Sequence, residues 1–369
     1  MASNQTTGNN DNVLDLHDVA LLLNYERAST EPRFRHAKLR ELATTSNFQT
    51  VRLLTPDWTE ATVPRTGMVF DKPKKLPGAG SKEDAEPDLP SNMLPDPISA
   101  SLRDLTPKQL ETLYWQARNH DGCYRTVTLF QHFIDLFPNP DNVPIRVRTV
   151  DNNAPKAYTT PAGTRIILEM KLMEPRSMTL ACVLPDNQTY ISGGQDVIDH
   201  AVLAFSETGQ NIESILDLAS LQFGDVGRGC KGRGLFVLEP VNDYVARLDR
   251  YARDNNFEDG RHSLRINDAP DSAWLRQVAK RVKERWDNRK TEHWCGHCGA
   301  PAKTLRFSFV SIGLAVNQTI APVLIGCFLT ALAAVPTFGL KGSKWFVLLR
   351  GAIGIVWWVY YAAEMVNVV

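Results

Sequence analysis

The sequence predicts an α+β soluble domain with a helical N-terminal region, followed by C-terminal transmembrane helices. Two observations lead to this fold class. Short apolar runs bounded by proline and glycine alternate with amphipathic segments, which is typical of mixed strands and helices. Further along, residues 307–340 contain no Asp, Glu, Lys or Arg, and about 20 apolar residues are enough to cross a bilayer as a helix.

Five segments are predicted along the chain. Apolar residues are densely spaced at 13–26, which indicates a helix, and a second short helix is predicted at 35–43. Proline, glycine and charged residues then accumulate in a stretch that cannot bury enough apolar surface to order itself. The segments are a helical N-terminal region at 1–71, a disordered linker at 72–98, an α+β globular domain at 99–290, an incomplete zinc-finger-like knuckle at 291–306 and a two-helix transmembrane hairpin at 316–369.

The elements of the globular domain are marked by their boundary residues. Thr106 is placed to cap a helix, and Pro107 fits the first turn of that helix. Apolar runs at 165–172 and 178–184 are bounded by turn residues and predict strands. The other predicted elements are helices at 125–136, 195–206, 211–221, 241–255 and 272–290, and a strand at 235–238.

The C-terminal tail predicts a membrane location. Residues 316–340 form one predicted span, 341–344 the turn and 345–363 the return, so a lipid bilayer is an expected partner. Basic residues before the first span slightly outnumber those between the spans, which favours a cytosolic N-terminal domain. The N-terminus is polar and lacks the pattern of a signal peptide, which agrees with that orientation.

Composition restricts the other partners. The 369-residue chain has 41 Lys and Arg residues and 41 Asp and Glu residues. This balance provides no overall field that would recruit nucleic acid, which is therefore not an expected partner. Six cysteines with a single close pair are unlike the dense framework of a small secreted domain, so a reducing compartment is expected.

That close pair, Cys295 and Cys298, provides the candidate metal ligands. Two thiolates separated by two residues can converge on one Zn²⁺ from a tight turn. A structural zinc needs four ligands, and no second close Cys or His pair follows. His293 and His297 are near, but a single short knuckle does not easily surround a metal. Zinc is therefore expected only at an incomplete site, and the alternative is two reduced cysteines in a turn.

The segment Trp294-Cys295-Gly296-His297-Cys298-Gly299-Ala300-Pro301 resembles the first knuckle of MYND-type zinc fingers, as found at the C-terminal end of uncharacterised fungal proteins. The resemblance implies zinc binding and a peptide-binding adaptor role. It also implies a second Cys pair shortly after Leu305, where this chain has Phe307-Ser308-Phe309-Val310. Cys295 and Cys298 match ligand positions of that family, and no other residue does.

A glycine-rich loop is the second motif. Gly227, Gly229 and Gly232 match the G-x-G-x-x-G spacing that can cradle a phosphate. The dinucleotide fingerprint follows a strand and opens a helix, whereas this loop follows a predicted helix and opens a predicted strand. A flexible basic loop is therefore favoured over an anion site. The basic side chains that an anion site would use are Arg228, Lys231 and Arg233.

No catalytic motif is evident. The chain lacks G-x-S-x-G and H-E-x-x-H, and its histidines outside the knuckle, His200 among them, are isolated in sequence. Asp196 and Asp199 could share a helix face with His200, but a solvated helix end explains them. The sequence favours a membrane-anchored, non-catalytic binding or adaptor module with a protein partner. The alternatives are an enzyme acting on a phosphorylated or lipid substrate, and a truncated MYND-type protein.

Overall fold

A computed structural model describes most of the first 302 residues, which belong to one compact unit ending at Ala302. The described residues are 13–44, 66–73, 87–151, 154–176, 178–186, 189–229, 231–258 and 271–302. Five α-helices lie within them: α1 (Leu16–Ser29), α2 (Pro107–Asn119), α3 (Cys123–Ile134), α4 (Val241–Tyr251) and α5 (Ser272–Asp287). The strands are β1 (Leu14–Asp15), β2 (Lys38–Thr44), β3 (Thr66–Asp71), β4 (Pro144–Asp151), β5 (Ala154–Pro161), β6 (Ile166–Met173), β7 (Met178–Val183), β8 (Thr189–Ser192), β9 (Val197–Phe205), β10 (Ser214–Asp217), β11 (Val237–Pro240) and β12 (Asp254–Glu258).

These strands form three sheets. The largest has the order β11-β10-β9-β6-β12 and is antiparallel throughout. A second sheet has the order β2-β3-β7-β8, with β3 and β7 parallel, and a third has the order β1-β4-β5, with β1 and β4 parallel. The described residues are therefore an α+β fold, as the sequence predicts.

The main core lies between the helices and one face of the largest sheet. Helix α3 directs Val127, Phe130 and Phe133 into the cluster that also contains Leu203 and Phe205 of β9. Helices α1 and α5 complete that cluster. The opposite face of the sheet is covered by α4, which contributes Tyr244, Leu248 and Tyr251. Both faces of β9 are therefore buried, as its continuous apolar sequence requires.

Helix boundaries follow the local chemistry. Thr106 caps α2 in a reciprocal capping box with Gln109, and Pro107 occupies the first turn, which confirms the prediction for this helix. The predicted strands at 165–172 and 178–184 are β6 and β7. Helix α5 buries Val278, Val282 and Trp286 in the main core.

Three predicted helices are wrong. Residues 195–206 contain β9, residues 211–221 contain β10 and the start of a 3₁₀ segment (Ser220–Gly227), and residues 35–43 overlap β2. In each case the segment is short and rich in residues that fit either element, and pairing with neighbouring strands decides the outcome.

The N-terminal region and part of the predicted linker pack with the globular domain. Helix α1 lies in the same core as α3 and α5. Within the predicted linker, Asp88 is buried and accepts from Arg118 Nη2 at 3.3 Å. The backbone N–H of His36 also donates to Asp88, at 3.0 Å. Buried polar contacts therefore fix the chain here despite its polar, proline-rich composition.

The transmembrane part of the predicted fold class is corrected. In the part of the chain that the structure describes, no helix is both long and apolar enough to cross a bilayer. The fold class of these residues is therefore α+β without transmembrane helices, and the membrane-anchored description is withdrawn. Residues 316–369, on which the sequence places the hairpin, lie outside the described residues.

Asp15 joins helix capping to sheet formation, and its removal is expected to destabilise the fold. Its carboxylate accepts from Asp18 N at 3.4 Å, from Arg146 at 2.9 Å and from Arg148 at 2.9 Å. Burial opposes ionisation, but these arginines prevail and hold the pKa of Asp15 below its usual value. Asp15→Asn should lower the free energy of unfolding by about 1 kcal/mol, because both arginines are half-exposed.

The pH dependence of the free energy of unfolding shows whether the ionised Asp15 carboxylate causes this stabilisation. Because the pKa of Asp15 is depressed in the folded state, its contribution is present above the ordinary value of 3.8 and is lost as the pH falls through the folded-state pKa. Urea unfolding at pH 7 and at pH 3 measures it, with the exposed Asp104→Asn as control. An equal difference between wild type and Asp15→Asn at both pH values would contradict the assignment.

Candidate functional site

The predicted knuckle is a tight turn closed by backbone hydrogen bonds. Cys295 N donates to Ala300 O at 2.9 Å, and Gly299 N donates to Cys295 O at 2.8 Å. Outside these, Ala302 N donates to His293 O at 2.9 Å, and Trp294 pairs with Pro301. The turn brings Cys295 and Cys298 side by side, and their sulfur atoms share a hydrogen bond.

Helix α1 lies directly against this turn. Gly299 has a φ of +76°, and a Cβ atom at this position would lie 2.4 Å from Leu21 O. Arg285 of α5 links the turn to α1. Its Nη2 donates to Gly299 O at 2.8 Å, and its Nη1 donates to Glu26 of α1 at 2.9 Å. The knuckle is therefore docked on two helices rather than projecting freely.

His297 faces α2 instead of the two sulfur atoms. Its Nε2 lies 2.7 Å from Glu111 Oε1, and Glu111 Oε2 accepts from Arg228 Nη2 at 2.8 Å. Hydrogen bonding to Glu111 raises the pKa of His297 against the opposing effect of burial. Burial works against ionisation of Glu111, but its two cationic neighbours hold the pKa of that carboxyl below its usual value.

The two thiols of the knuckle are not equivalent. Hydrogen bonds from the Cys298 side chain and from the backbone N–H groups of Cys298 and His297 lower the pKa of Cys295 to about 5, although partial burial opposes the shift. The hydrogen bond to Cys295 and burial both raise the pKa of Cys298. Cys295 is half-buried and carries the negative charge, while Cys298 packs against the core and keeps its proton.

The described residues supply only two thiol ligands at this place. No group of three or more His, Cys, Asp or Glu residues suited to a metal ion occurs among them. His297, the nearest further ligand in sequence, is paired with Glu111. The soft thiolates themselves suit zinc, so a zinc ion would need two ligands from elsewhere.

Arg228 of the glycine-rich loop is bound by other residues of the domain. Arg228 is buried and donates to Asp225 Oδ1 at 2.9 Å, to Glu111 Oε2 at 2.8 Å and to Thr112 Oγ1 at 2.9 Å. Lys231 and Arg233 remain exposed. Gly229 is required by packing, since a Cβ there would lie 2.1 Å from Phe236 O. Through Arg228 the loop holds Glu111, which contacts His297 of the knuckle. This use of Arg228 does not favour the anion site that was the alternative interpretation of the loop.

A second constellation surrounds His200. Because this residue lies on β9 and not on a helix, Asp199 and His200 point to opposite faces of the sheet. His200 Nε2 lies 2.8 Å from Asp217 Oδ2 of β10, and His200 Nδ1 lies 2.9 Å from Gln222 Nε2. Burial disfavours the imidazolium, but Asp217 outweighs it and raises the pKa of His200 to about 10, with a further contribution from a hydrogen bond to Cys123.

Sequence reasoning missed this constellation because its members are distant in the chain. His200, described from sequence as isolated, has partners at Cys123, Asp217 and Gln222. The sequence did offer one local signal for Cys123, because Gly122-Cys123 comes just before the apolar pattern of α3 and so marks the start of that helix. Asp217 carries no such signal, because it lies in a segment predicted as helix.

Comparison with protein-family models, curated proteins and solved structures finds no match for this chain. The resemblance of the knuckle to MYND-type fingers therefore stays a prediction.

Substitution of Gly299 tests the docking of the knuckle. Gly299→Ala should be more destabilising than Gly232→Ala, because both glycines have a similar φ (+76° and +78°) but only Gly299 faces a backbone atom. Strain at positive φ costs about 1–2 kcal/mol at either position, and overpacking adds about 1–3 kcal/mol at Gly299 alone. Denaturant unfolding of both variants measures the difference. Equal destabilisation would mean that the close contact with Leu21 is absent.

The His297–Glu111 pair makes a second prediction. Glu111→Gln should lower the pKa of His297 towards its ordinary value, measured by NMR titration of the imidazole, while the exposed Glu207→Gln leaves it unchanged. The contribution of His297 to stability is complete below its ordinary pKa of 6.5 and is lost as the pH rises through its raised folded-state pKa. The contribution of Glu111 is present above its ordinary pKa of 4.5 and is lost as the pH falls through its lowered folded-state pKa. The stability difference should therefore peak between these values. An unchanged pKa in Glu111→Gln would contradict the pair.

Proposed function

We propose that this chain is a thiol-redox-responsive binding module, in which Cys295 and Cys298 interconvert between a dithiol and a disulfide. The observation that carries the proposal is the turn closed by the Cys295–Ala300 and Gly299–Cys295 backbone hydrogen bonds, which holds the two cysteine side chains next to each other. A disulfide needs two sulfurs, whereas a structural zinc needs four ligands. Two sulfurs are what the described residues supply here.

The positions of the two thiols fit the order of a thiol–disulfide exchange. Cys295 is half-buried, and its sulfur accepts two backbone N–H groups, so it is the accessible thiolate. It attacks a small disulfide R–S–S–R, which breaks the S–S bond and releases one thiolate. Cys298 then attacks the Cys295 sulfur and releases the second thiolate, which takes the Cys298 proton. Two cysteine thiols are oxidised and one small disulfide is reduced.

The binding part of the proposal concerns the surface that the knuckle shares with α2. The side chain of His297 is 46% exposed while it holds Glu111. Oxidation removes the thiolate that accepts the backbone N–H of His297, so it loosens the turn beside this ion pair. A protein partner that contacts His297 and Cys295 would then distinguish the two states. This supports the adaptor role expected from sequence.

A cytosolic location of the domain is included in the proposal. Cys123, Cys182, Cys295 and Cys298 are all free thiols in the structure. Reducing compartments keep such thiols free, and a shift in the glutathione pool would then act as the signal.

Redox titration of the reduced full-length chain tests the proposal. In mixtures of reduced and oxidised glutathione, wild type should form the Cys295–Cys298 disulfide, detected by peptide mass spectrometry. Cys298→Ser should stop at a glutathione adduct on Cys295, and Cys295→Ser should form neither product at this site. Oxidation of wild type should also lower the pKa of His297, as loss of its contact with Glu111 requires.

The buried Cys182 provides the matched control, because Cys182→Ser should leave the exchange unchanged. A persistent Cys295 glutathione adduct in wild type would overturn the proposal, since it would mean that Cys298 cannot resolve it. Zinc bound to the purified chain that protects both thiols from exchange would also overturn it. That second result would favour the metal site predicted from sequence.

A further inference from the structure

The open edge of the β1-β4-β5 sheet carries unpaired backbone groups beside two half-exposed arginines. Strand β5 ends this sheet, and within the described ranges no strand pairs with its other side. Arg146 and Arg148 of β4 lie on the solvent-facing side of the sheet, with side chains 48% and 50% exposed. We propose that this edge binds an extended acidic segment of a partner protein, which adds a strand to β5 and places its carboxylates beside the two arginines.

The pairing of β4 with β5 determines where each backbone group points. Pro144 pairs with Pro161, and neither residue has an N–H to donate. The next residue, Ala162, donates its N–H to Val143 O at 2.8 Å. Pro144 and Pro161 therefore form a non-hydrogen-bonded pair, in which the backbone groups of both residues point away from the partner strand.

The same geometry applies to every second residue of β5, because the two kinds of pair alternate along an antiparallel ladder. Pro155, Ala157 and Thr159 therefore also direct their backbone groups to the open edge. Pro155 has no N–H, so the edge offers two donors, Ala157 N and Thr159 N, and the carbonyl oxygens of the same residues as acceptors. Prolines at both ends of β5 restrict pairing to a short segment, which protects the edge from aggregation.

The side chains at this edge leave room for an added strand. Ala157 and Thr159 lie opposite Arg148 and Arg146 in the ladder and on the same side of the sheet. Both residues are small and exposed, so they leave a shallow gap between the arginines and a docked strand. That strand would lie two strand spacings from β4, about 10 Å. Extended Glu and Arg side chains together span this distance.

The charges on this side of the sheet favour a carboxylate partner. Arg146 and Arg148 share one buried carboxylate, that of Asp15, through Nε and Nη2 of Arg146 and Nη2 of Arg148. Asp18, at the start of α1, also attracts Arg148. Both guanidinium groups stay half-exposed despite these contacts, so the carboxylates of a docked strand can form charge-assisted hydrogen bonds with them.

These features define the sequence pattern of the partner segment. A strand antiparallel to β5 meets Thr159, Ala157 and Pro155 in that order, and its intervening residues face the other side. Acidic residues are expected opposite Thr159 and Ala157. An apolar residue is expected opposite Pro155, because Val150 in the adjacent position of β4 is 50% exposed. The partner segment therefore reads acidic-x-acidic-x-apolar in an extended chain.

Fluorescence polarisation with a labelled Glu-Thr-Glu-Thr-Val peptide tests this site in the full-length reduced chain. The peptide should bind, and binding should weaken as salt is added, whereas Lys-Thr-Lys-Thr-Val should not bind. Arg148→Gln should weaken binding of the acidic peptide about threefold. Arg276→Gln, which removes an exposed arginine of α5, is the matched control and should leave binding unchanged. Equal binding of both peptides, or no binding of the acidic one, would overturn the proposal.

Proline substitutions test the backbone contact. The Ala157 N–H faces outward, so Ala157→Pro should keep the fold, judged by circular dichroism, and lower the affinity about tenfold by removing one of two donors. The Lys156 N–H is directed to β4, so Lys156→Pro should instead destabilise the chain in urea. Unchanged affinity in Ala157→Pro, or unfolding as severe as in Lys156→Pro, would overturn strand addition.

Sedimentation equilibrium excludes a different occupant of the edge. The wild-type chain should remain monomeric at the concentrations used for peptide binding. A dimer that is lost in Ala157→Pro would assign the edge to a second copy of this chain and overturn the proposal. None of these measurements depends on the redox state of Cys295 and Cys298, so they are independent of the redox titration.

Discussion

The rest of the fold depends on the burial of helix α1. Twelve of its fourteen residues are buried, including Arg27, which is 0% exposed. The Arg27 guanidinium donates to Arg118 O at 2.8 Å and to the Asn119 side chain, so its charge is shared with the end of α2. A buried cation without such partners would cost several kcal/mol. The elements around α1 are therefore fixed in position by polar as well as apolar contacts.

The knuckle is also held in position by α1. Its Gly299 lies against the α1 backbone, and Arg285 joins α5, α1 and the knuckle through one guanidinium. On its other side, the knuckle contacts Glu111 of α2 through His297, and Glu111 accepts from Arg228. The two thiol environments also differ in a consistent way. Cys295 is half-buried and accepts backbone N–H groups, whereas Cys123 is buried in the core and donates to the Asp199 carbonyl.

Sequence reasoning succeeded where the information is local. The capping box at Thr106 and the strand runs of β6 and β7 are each defined within a few residues. It failed for β9, whose residues also suit a helix, because the pairing with β6 and β10 makes it a strand. The Cys-x-x-Cys turn was visible in sequence, but its contacts with Leu21, Arg285 and Glu111 were not. Neither was Asp217, which meets His200 only across the sheet.

The ion pair between Arg285 and Glu26 also determines when the fold can be completed. The two residues are 259 positions apart, so almost the whole domain is synthesised before α1 meets its last partner. Contacts of such sequence separation form slowly, because a long loop must close before they contribute. Until then, the apolar surface of α1 lacks part of its cover. During synthesis, α1 is therefore incompletely covered until α5 has been made, and exposed apolar surface of this kind promotes aggregation.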